Sequence, residues 1–380
     1  MTENKRIFLA SPHMSDDGFE KQYINEAFEK NWIAPLGENV NEFEKAVKER
    51  TSAAETLALS SGTAAIHLAL MGLGVSSGDT VFCQSLTFSA SANPIRYVNA
   101  IPVFIDSDDS WNMSPAALRC AFEKYKDNLP KAVIVVHLYG LAANILAIRE
   151  ICDEYGVPLI EDAAESLGTT ISGQATGTFG EYGILSFNGN KIITTSGGGM
   201  LIVNGEDAPA RREKALFLAT QAREPARHYE HKKIGYNYRL SNICAGIGRG
   251  QMRVLDKRIA KKRYIYEYYE KAFTEYTDIK MMPRDMYDSF SNCWLSAIQL
   301  GEGSKVKPLD IIVALENENI ESRPVWKPMH MQPVFAECDY IDNGGTAQRL
   351  FENGVCLPSD TKMTDEELDR ICNIMLGLWK

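Results

Sequence analysis

The chain has 380 residues, 45% of them hydrophobic and 24% charged, with a formal net charge of −10. That length exceeds a single small core and suits two domains, or one large and one subsidiary, and the composition is ordinary for a soluble globular protein. The acidic balance argues against a nucleic-acid partner, which calls for a basic stripe, but leaves room for an anionic small ligand in a locally positive pocket.

The start, Met1-Thr2-Glu3-Asn4-Lys5-Arg6, lacks the apolar core of a signal peptide, and no apolar run approaches the roughly 18 residues of a membrane span. The eight cysteines are scattered, with no C-x-x-C and no metal-ligand spacing. These features predict a cytoplasmic protein with no membrane contact, disulfide or metal.

From about residue 56 to 205 short apolar runs alternate with helical stretches. Strands are expected at Thr56–Leu59, Val81–Cys83, Ile101–Phe104, Ala132–Val136, Pro158–Ile160 and Met200–Val203, being short, rich in β-branched residues and bounded by turn signals. Helices are expected at Ala64–Leu73, Ser89–Asn99, Ser114–Tyr125 and Asn144–Tyr155. This alternation predicts an α/β sheet covered by helices on both faces. A long helix is expected from Ser241, running into the charged stretch Asp256–Arg263, which reads as a solvated face. Beyond about 275 the composition shifts to Met, Pro and scattered aromatics. The predicted division is a large domain, 1–255, and a small α+β domain, 256–380, with the segment of about 1–35 packing on the small one.

Three clusters carry chemistry. Ser60-Ser61-Gly62-Thr63-Ala64-Ala65 ends a strand and opens a helix, a place where free N–H groups and hydroxyls receive a phosphate, although taken alone a plain N-cap is the better reading. Asp162, in Glu161-Asp162-Ala163-Ala164-Glu165, follows a strand at the ligand-binding edge of the sheet, where a buried carboxylate needs a cationic partner. Lys191 lies 29 positions later, five residues after Ser186 and just before Gly197-Gly198-Gly199. A lysine amine condenses with an aldehyde to give a Schiff base, and a carboxylate can hold a pyridine nitrogen protonated. Lysine and aspartate together therefore point to pyridoxal 5'-phosphate (PLP). Glu165 is either a hydrogen-bond partner of the cofactor's phenolic oxygen or of substrate, or a capping partner of Asp162. Phe88 is a candidate to stack on the ring, with a core role as its default. No G-x-G-x-x-G follows the first strand, which excludes a dinucleotide fold.

With these motifs, and with Asn31–Gly37, Gly235–Ser241 and Cys356–Ser359, the chain closely resembles the sugar-nucleotide aminotransferases of the DegT/StrS type. The resemblance implies a type I PLP-dependent, aspartate aminotransferase-like fold. It consists of a large three-layer domain around a mixed sheet plus the small α+β domain. It implies that Lys191 carries the cofactor and acts catalytically and that Asp162 holds the ring nitrogen. Gly62, Thr63 and Ser186 would bind the phosphate, with Phe88 on the ring. Asn237 would reach the phosphate of a neighbouring subunit, giving a homodimer with shared sites. Members with histidine in place of the lysine are dehydratases, so Lys191 favours transamination.

Within the family, the segments Asn31–Gly37, Gly189–Met200, Thr220–Glu224, His228–His231 and Arg323–His330 resemble the UDP-4-amino-sugar aminotransferases of the bacillosamine pathway. The implied reaction moves the amine of L-glutamate to C4 of a UDP-linked 2-acetamido-2,6-dideoxy-4-keto hexose. A diphosphate calls for Arg, Lys or His donors, and Arg227, His228, His231, Arg323, Lys327 and His330 are available, each with a solvated-surface role as the alternative. Trp32 and Trp326 are candidates to pack on sugar or uracil, with core or interface roles as likely on residue type alone. Arg239 is a candidate clamp for the donor carboxylate, or an interface residue. The alternatives are a GDP-linked 4-keto sugar, a 3-keto sugar, and a PLP-binding protein without turnover.

Overall fold

The computed structural model describes residues 5–380; Met1–Asn4, part of the N-terminal run read above, lie outside the described residues. Its centre is an eight-stranded sheet of Glu55–Leu59 (β1), Thr80–Gln84 (β2), Ile101–Ile105 (β3), Ala132–Val136 (β4), Leu159–Asp162 (β5), Tyr182–Ser186 (β6), Gly199–Val203 (β7) and Tyr340–Ile341 (β8). The spatial order is β1-β7-β6-β5-β4-β2-β3-β8. Strands β6, β5, β4, β2, β3 and β8 run parallel, whereas β7 is antiparallel to both neighbours, so the sheet is mixed.

Every residue of β2 and β4 is buried. Alternate side chains serve opposite layers, which is why these strands read as unbroken apolar runs. Val81, Cys83, Ile134 and Ile160 join the core beneath the helices Gly62–Gly72 and Ala208–Ala219. Phe82, Val133, Val135 and Leu159 face the opposite layer, with Pro115–Lys124 and Ile145–Tyr155.

A second, four-stranded antiparallel sheet orders Ile279–Met281, Ser296–Leu300, Gly354–Leu357 and Arg323–Pro324. It is backed by helices Leu255–Phe273, Pro308–Asn317 and Asp365–Gly377. Ile7 lies in that core and bridges Ile320, and Ser359 N–H donates to the Leu9 carbonyl at 2.7 Å. A fourth apolar cluster joins the two parts, packing Trp294, Val325 and Cys356 with Phe43, Leu185 and Ile192.

Among the elements that differ from the sequence-based expectation, three show the cause most directly. The long helix from Ser241 is two helices, Asn242–Met252 and Leu255–Phe273, broken at Val254 (φ −113°, ψ 5°). The first is glycine-striped so that it can lie against its neighbours. A Cβ on Gly248 would meet the Phe43 ring at 2.7 Å, and one on Gly250 would meet Glu20 N at 2.6 Å. The expected helix Ser89–Asn99 is a 3₁₀ turn, Ser89–Ser91, followed by a short helix, Asn93–Tyr97, because Pro94 supplies no N–H to continue the first turn. Strand β6 was not anticipated. Its Gly183 weakens the strand signal, yet a Cβ there would lie 2.1 Å from the Gly177 carbonyl oxygen.

Candidate active site

The carboxyl ends of β5 and β6 and the start of the Gly62–Gly72 helix meet at a cavity of about 430 Å³. Its lining includes Ser61, Gly62, Thr63, Phe88, Asp162, Glu165, Ser186 and Lys191, together with Trp294 and Trp326. At one end Ser61 caps the helix, its Oγ accepting from Ala64 N–H at 3.0 Å. Gly62 and Thr63 open the first turn, where N–H groups have no carbonyl partner within a helix. The backbone of this turn lies directly against β7: a Cβ on Gly199 would meet Ser61 C at 2.3 Å and Gly62 N at 2.4 Å. Glycine at 199 thus permits the helix start to sit at the sheet edge.

Asp162, the last residue of β5, is buried. Its Oδ2 accepts from Ser91 Oγ at 2.6 Å and its Oδ1 from Ala164 N–H at 3.2 Å. Burial pushes its carboxyl above the usual aspartate range, against the stabilising Ser91 hydrogen bond. Among the described residues no basic side chain comes within ion-pair distance of it. A buried carboxylate facing a cavity in this way is suited to a cationic ligand atom.

Lys191 follows β6 in a tight turn, its N–H donating to the Asn188 carbonyl at 3.1 Å. The ammonium pairs with Glu165 Oε1 at 3.0 Å and sits 4.2 Å from the centre of the Trp294 ring. Trp294 in turn donates its indole N–H to the Asn190 carbonyl at 2.8 Å. Glu165 Oε2 accepts the Tyr139 N–H at 2.8 Å; burial pushes the Glu165 carboxyl up, opposed chiefly by the Lys191 charge. Phe88, 57% exposed, faces Trp326 with ring centres 5.5 Å apart and forms the open wall.

The remaining predicted residues do not line this cavity in the single chain. Arg239 is committed elsewhere: its guanidinium pairs with Glu44 at 2.8 Å and donates to the Ala58 carbonyl, tying the segment to β1. His330 bonds Ser85 Oγ at 2.7 Å and stacks on Tyr340, and burial lowers its basicity. Arg323 pairs with Glu321 on the surface, and Lys327 is half-buried. Trp32 lines a separate hollow with Leu36 and Gly37 and donates its indole N–H to the Leu36 carbonyl. Asn237 is exposed, bridging Thr220. Conversely, the reading of the sequence missed Ser91, Tyr139 and Trp294. Trp294 lies 104 residues from the backbone it bonds, so no local spacing announces it.

The donor set fits PLP: a helix start for an anion, a buried carboxylate short of a cation, and a lysine amine, all lining one cavity. A family model, the DegT/DnrJ/EryC1/StrS aminotransferase family, matches residues 14–376, and the chain belongs to that family. It is 54% identical to EpsN of Bacillus subtilis (strain 168), provisionally described as a pyridoxal phosphate-dependent aminotransferase, over 99% of this chain and 96% of that one. It is 34% identical to the GDP-perosamine synthase of Caulobacter vibrioides, over 98% of each. Among solved structures, the aminotransferase TlmJ from Streptoalloteichus hindustanus superposes with a TM-score of 0.88 at 26% identity, covering 99% of both chains. The protein is a PLP-dependent sugar aminotransferase with the type I fold.

Proposed function

We propose that the protein moves the amino group of L-glutamate to C4 of a UDP-linked 2-acetamido-2,6-dideoxy-4-keto hexose, acting as a cytoplasmic homodimer with shared sites. The observation that carries the site assignment is that Lys191, Asp162 and the Ser61–Thr63 helix start line one cavity. PLP supplies an electron sink that stabilises negative charge on the carbon attached to the reacting nitrogen. Lys191 would hold the cofactor between reactions and, once released, would take the proton from that carbon as base and deliver it as acid to the cofactor carbon on the other side of the nitrogen. Asp162 keeps the ring nitrogen protonated, Gly62, Thr63 and Ser186 take the phosphate, and Phe88 covers the ring. Glu165 and Trp294 give the released Lys191 ammonium a place to rest.

The nucleotide and sugar rest on the resemblance carried by Asn31–Gly37, Gly189–Met200 and Arg323–His330. That Trp32, Arg323, Lys327 and Asn237 lie outside the single-chain cavity accords with a role across a subunit boundary. A GDP-linked 4-keto sugar is the second reading, favoured by the identity to a GDP-perosamine synthase.

The experiment is mass spectrometry of the protein incubated with PLP, L-glutamate and, separately, the UDP- and GDP-linked keto sugars. The expected result is conversion of ketone to amine on the UDP substrate, lost in Lys191→Ala although that variant still binds PLP. Conversion of the GDP substrate alone overturns the nucleotide assignment, and normal turnover in Lys191→Ala overturns the site.

A further inference from the structure

We propose that Ser91, itself oriented by Thr87, is a positioning residue that fixes the Asp162 carboxylate with one side open to the ring nitrogen of PLP. The proposal rests on the reading of Asp162 given above. Its origin is a single turn of chain after β2. Ser91 N–H donates to the Phe88 carbonyl at 3.1 Å, closing the 3₁₀ turn Ser89–Ser91. That closure brings Thr87 and Ser91, four residues apart, to 2.7 Å between hydroxyl oxygens. Both are buried, each 1% exposed, so neither hydroxyl has bulk water as an alternative partner.

A hydroxyl has one proton to give. Ser91 gives its own to Asp162 Oδ2 at 2.6 Å, so the proton between the two hydroxyls belongs to Thr87. The result is a one-way chain of donors, Thr87 to Ser91 to Asp162. With Ala164 N–H on Oδ1, each carboxylate oxygen is held by one protein donor, leaving lone pairs for a ligand in the cavity that Asp162 lines. The same turn carries Phe88, so one segment sets both the wall of the ring pocket and the angle of the acid.

Charged and titratable groups facing Asp162 are Lys191, Glu165, His137 and the buried Cys83 thiol. Burial raises the Asp162 carboxyl, and the Ser91 hydrogen bond is the largest influence opposing it, ahead of Lys191 and His137. Loss of the Ser91 donor therefore favours the neutral acid, which cannot pair with a cation. The sign follows: the variant's carboxyl takes up its proton at higher pH, so its cofactor binding fails earlier as pH falls.

The test is PLP binding to the cofactor-free protein by equilibrium dialysis across the acid-to-neutral range. Ser91→Ala should bind PLP roughly tenfold to a hundredfold more weakly, the cost of one hydrogen bond to a charged group, with its acid limb displaced to higher pH. Thr87→Val should move the limb the same way by less, and it decides the question where Ser91→Ala does not fold. Ser186→Ala should weaken binding without moving the limb. An acid limb in the Ser91 and Thr87 variants that superimposes on wild type overturns the proposal. If Asp162→Asn also changes nothing, the assignment of Asp162 itself falls; if Asp162→Asn acts and the hydroxyl variants do not, only the Ser91 proposal falls.

Discussion

Gly199→Ala tests the link between the fold and phosphate capture. The added Cβ would stand 2.3–2.5 Å from Ser61 C, Gly62 N and Ser61 O, all backbone atoms, whereas carbon contacts are comfortable at about 3.5 Å. No side chain can swing away, so either β7 or the helix start must retreat by about 1 Å. A hydrogen bond of about 2.9 Å from the first-turn N–H groups to a phosphate would lengthen to nearly 4 Å, beyond useful range. Loss of one such charged bond costs about 1.5–3 kcal/mol, or a tenfold to hundredfold weaker PLP complex. Overpacking adds about 1–3 kcal/mol of global destabilisation. Fluorescence titration of the cofactor-free variant with PLP measures the first quantity and urea unfolding the second. A variant that unfolds earlier yet binds PLP within twofold of wild type would refute the reasoning, since it would mean that the helix start does not hold the phosphate.

Three further outcomes are expected. Glu44→Ala leaves the Arg239 guanidinium, 6% exposed, without its carboxylate and also removes one of two carboxylate partners of Arg212, so urea unfolding should show a loss of about 3–5 kcal/mol. On the proposed homodimer with shared sites, Asn237→Ala should speed PLP loss on dialysis while leaving unfolding of the protein unchanged. Unaltered retention would assign Asn237 a structural role only. Lys262 is buried, donates to the Ser359 carbonyl, and is pushed by burial from 10.5 down to about 7. The unfolded chain therefore binds a proton that the folded chain does not between those values, and stability contributed by this group falls as pH drops from about 10.5 to 7. Lys262→Met should flatten that part of the stability profile and raise stability at neutral pH; an unchanged slope in denaturation from pH 7 to 10 would count against it.

Most strands of the sheet and the candidate reactive residues were legible in the sequence because their causes are local. Buried parallel strands such as Ala132–Val136 must be apolar at every position, since both faces are covered. A strand-to-helix junction rich in Ser and Gly marked a candidate anion site, and Asp162 follows an apolar run that marked a strand end, whereas the strand before Lys191 was not anticipated. Tertiary structure decided the rest. Glycines 246, 248 and 250 lower helix propensity, and only the approach of Asn39, Phe43 and Glu20 explains them. Arg239 and His330 look like ligand donors by type, yet Glu44 and Ser85, distant in sequence, take their hydrogen bonds. Trp294 becomes part of the Lys191 environment only when the C-terminal half folds back over the sheet. A residue's capacity to react is written in its own side chain, but whether that capacity is free, paired or buried depends on neighbours that only the closed chain brings to it.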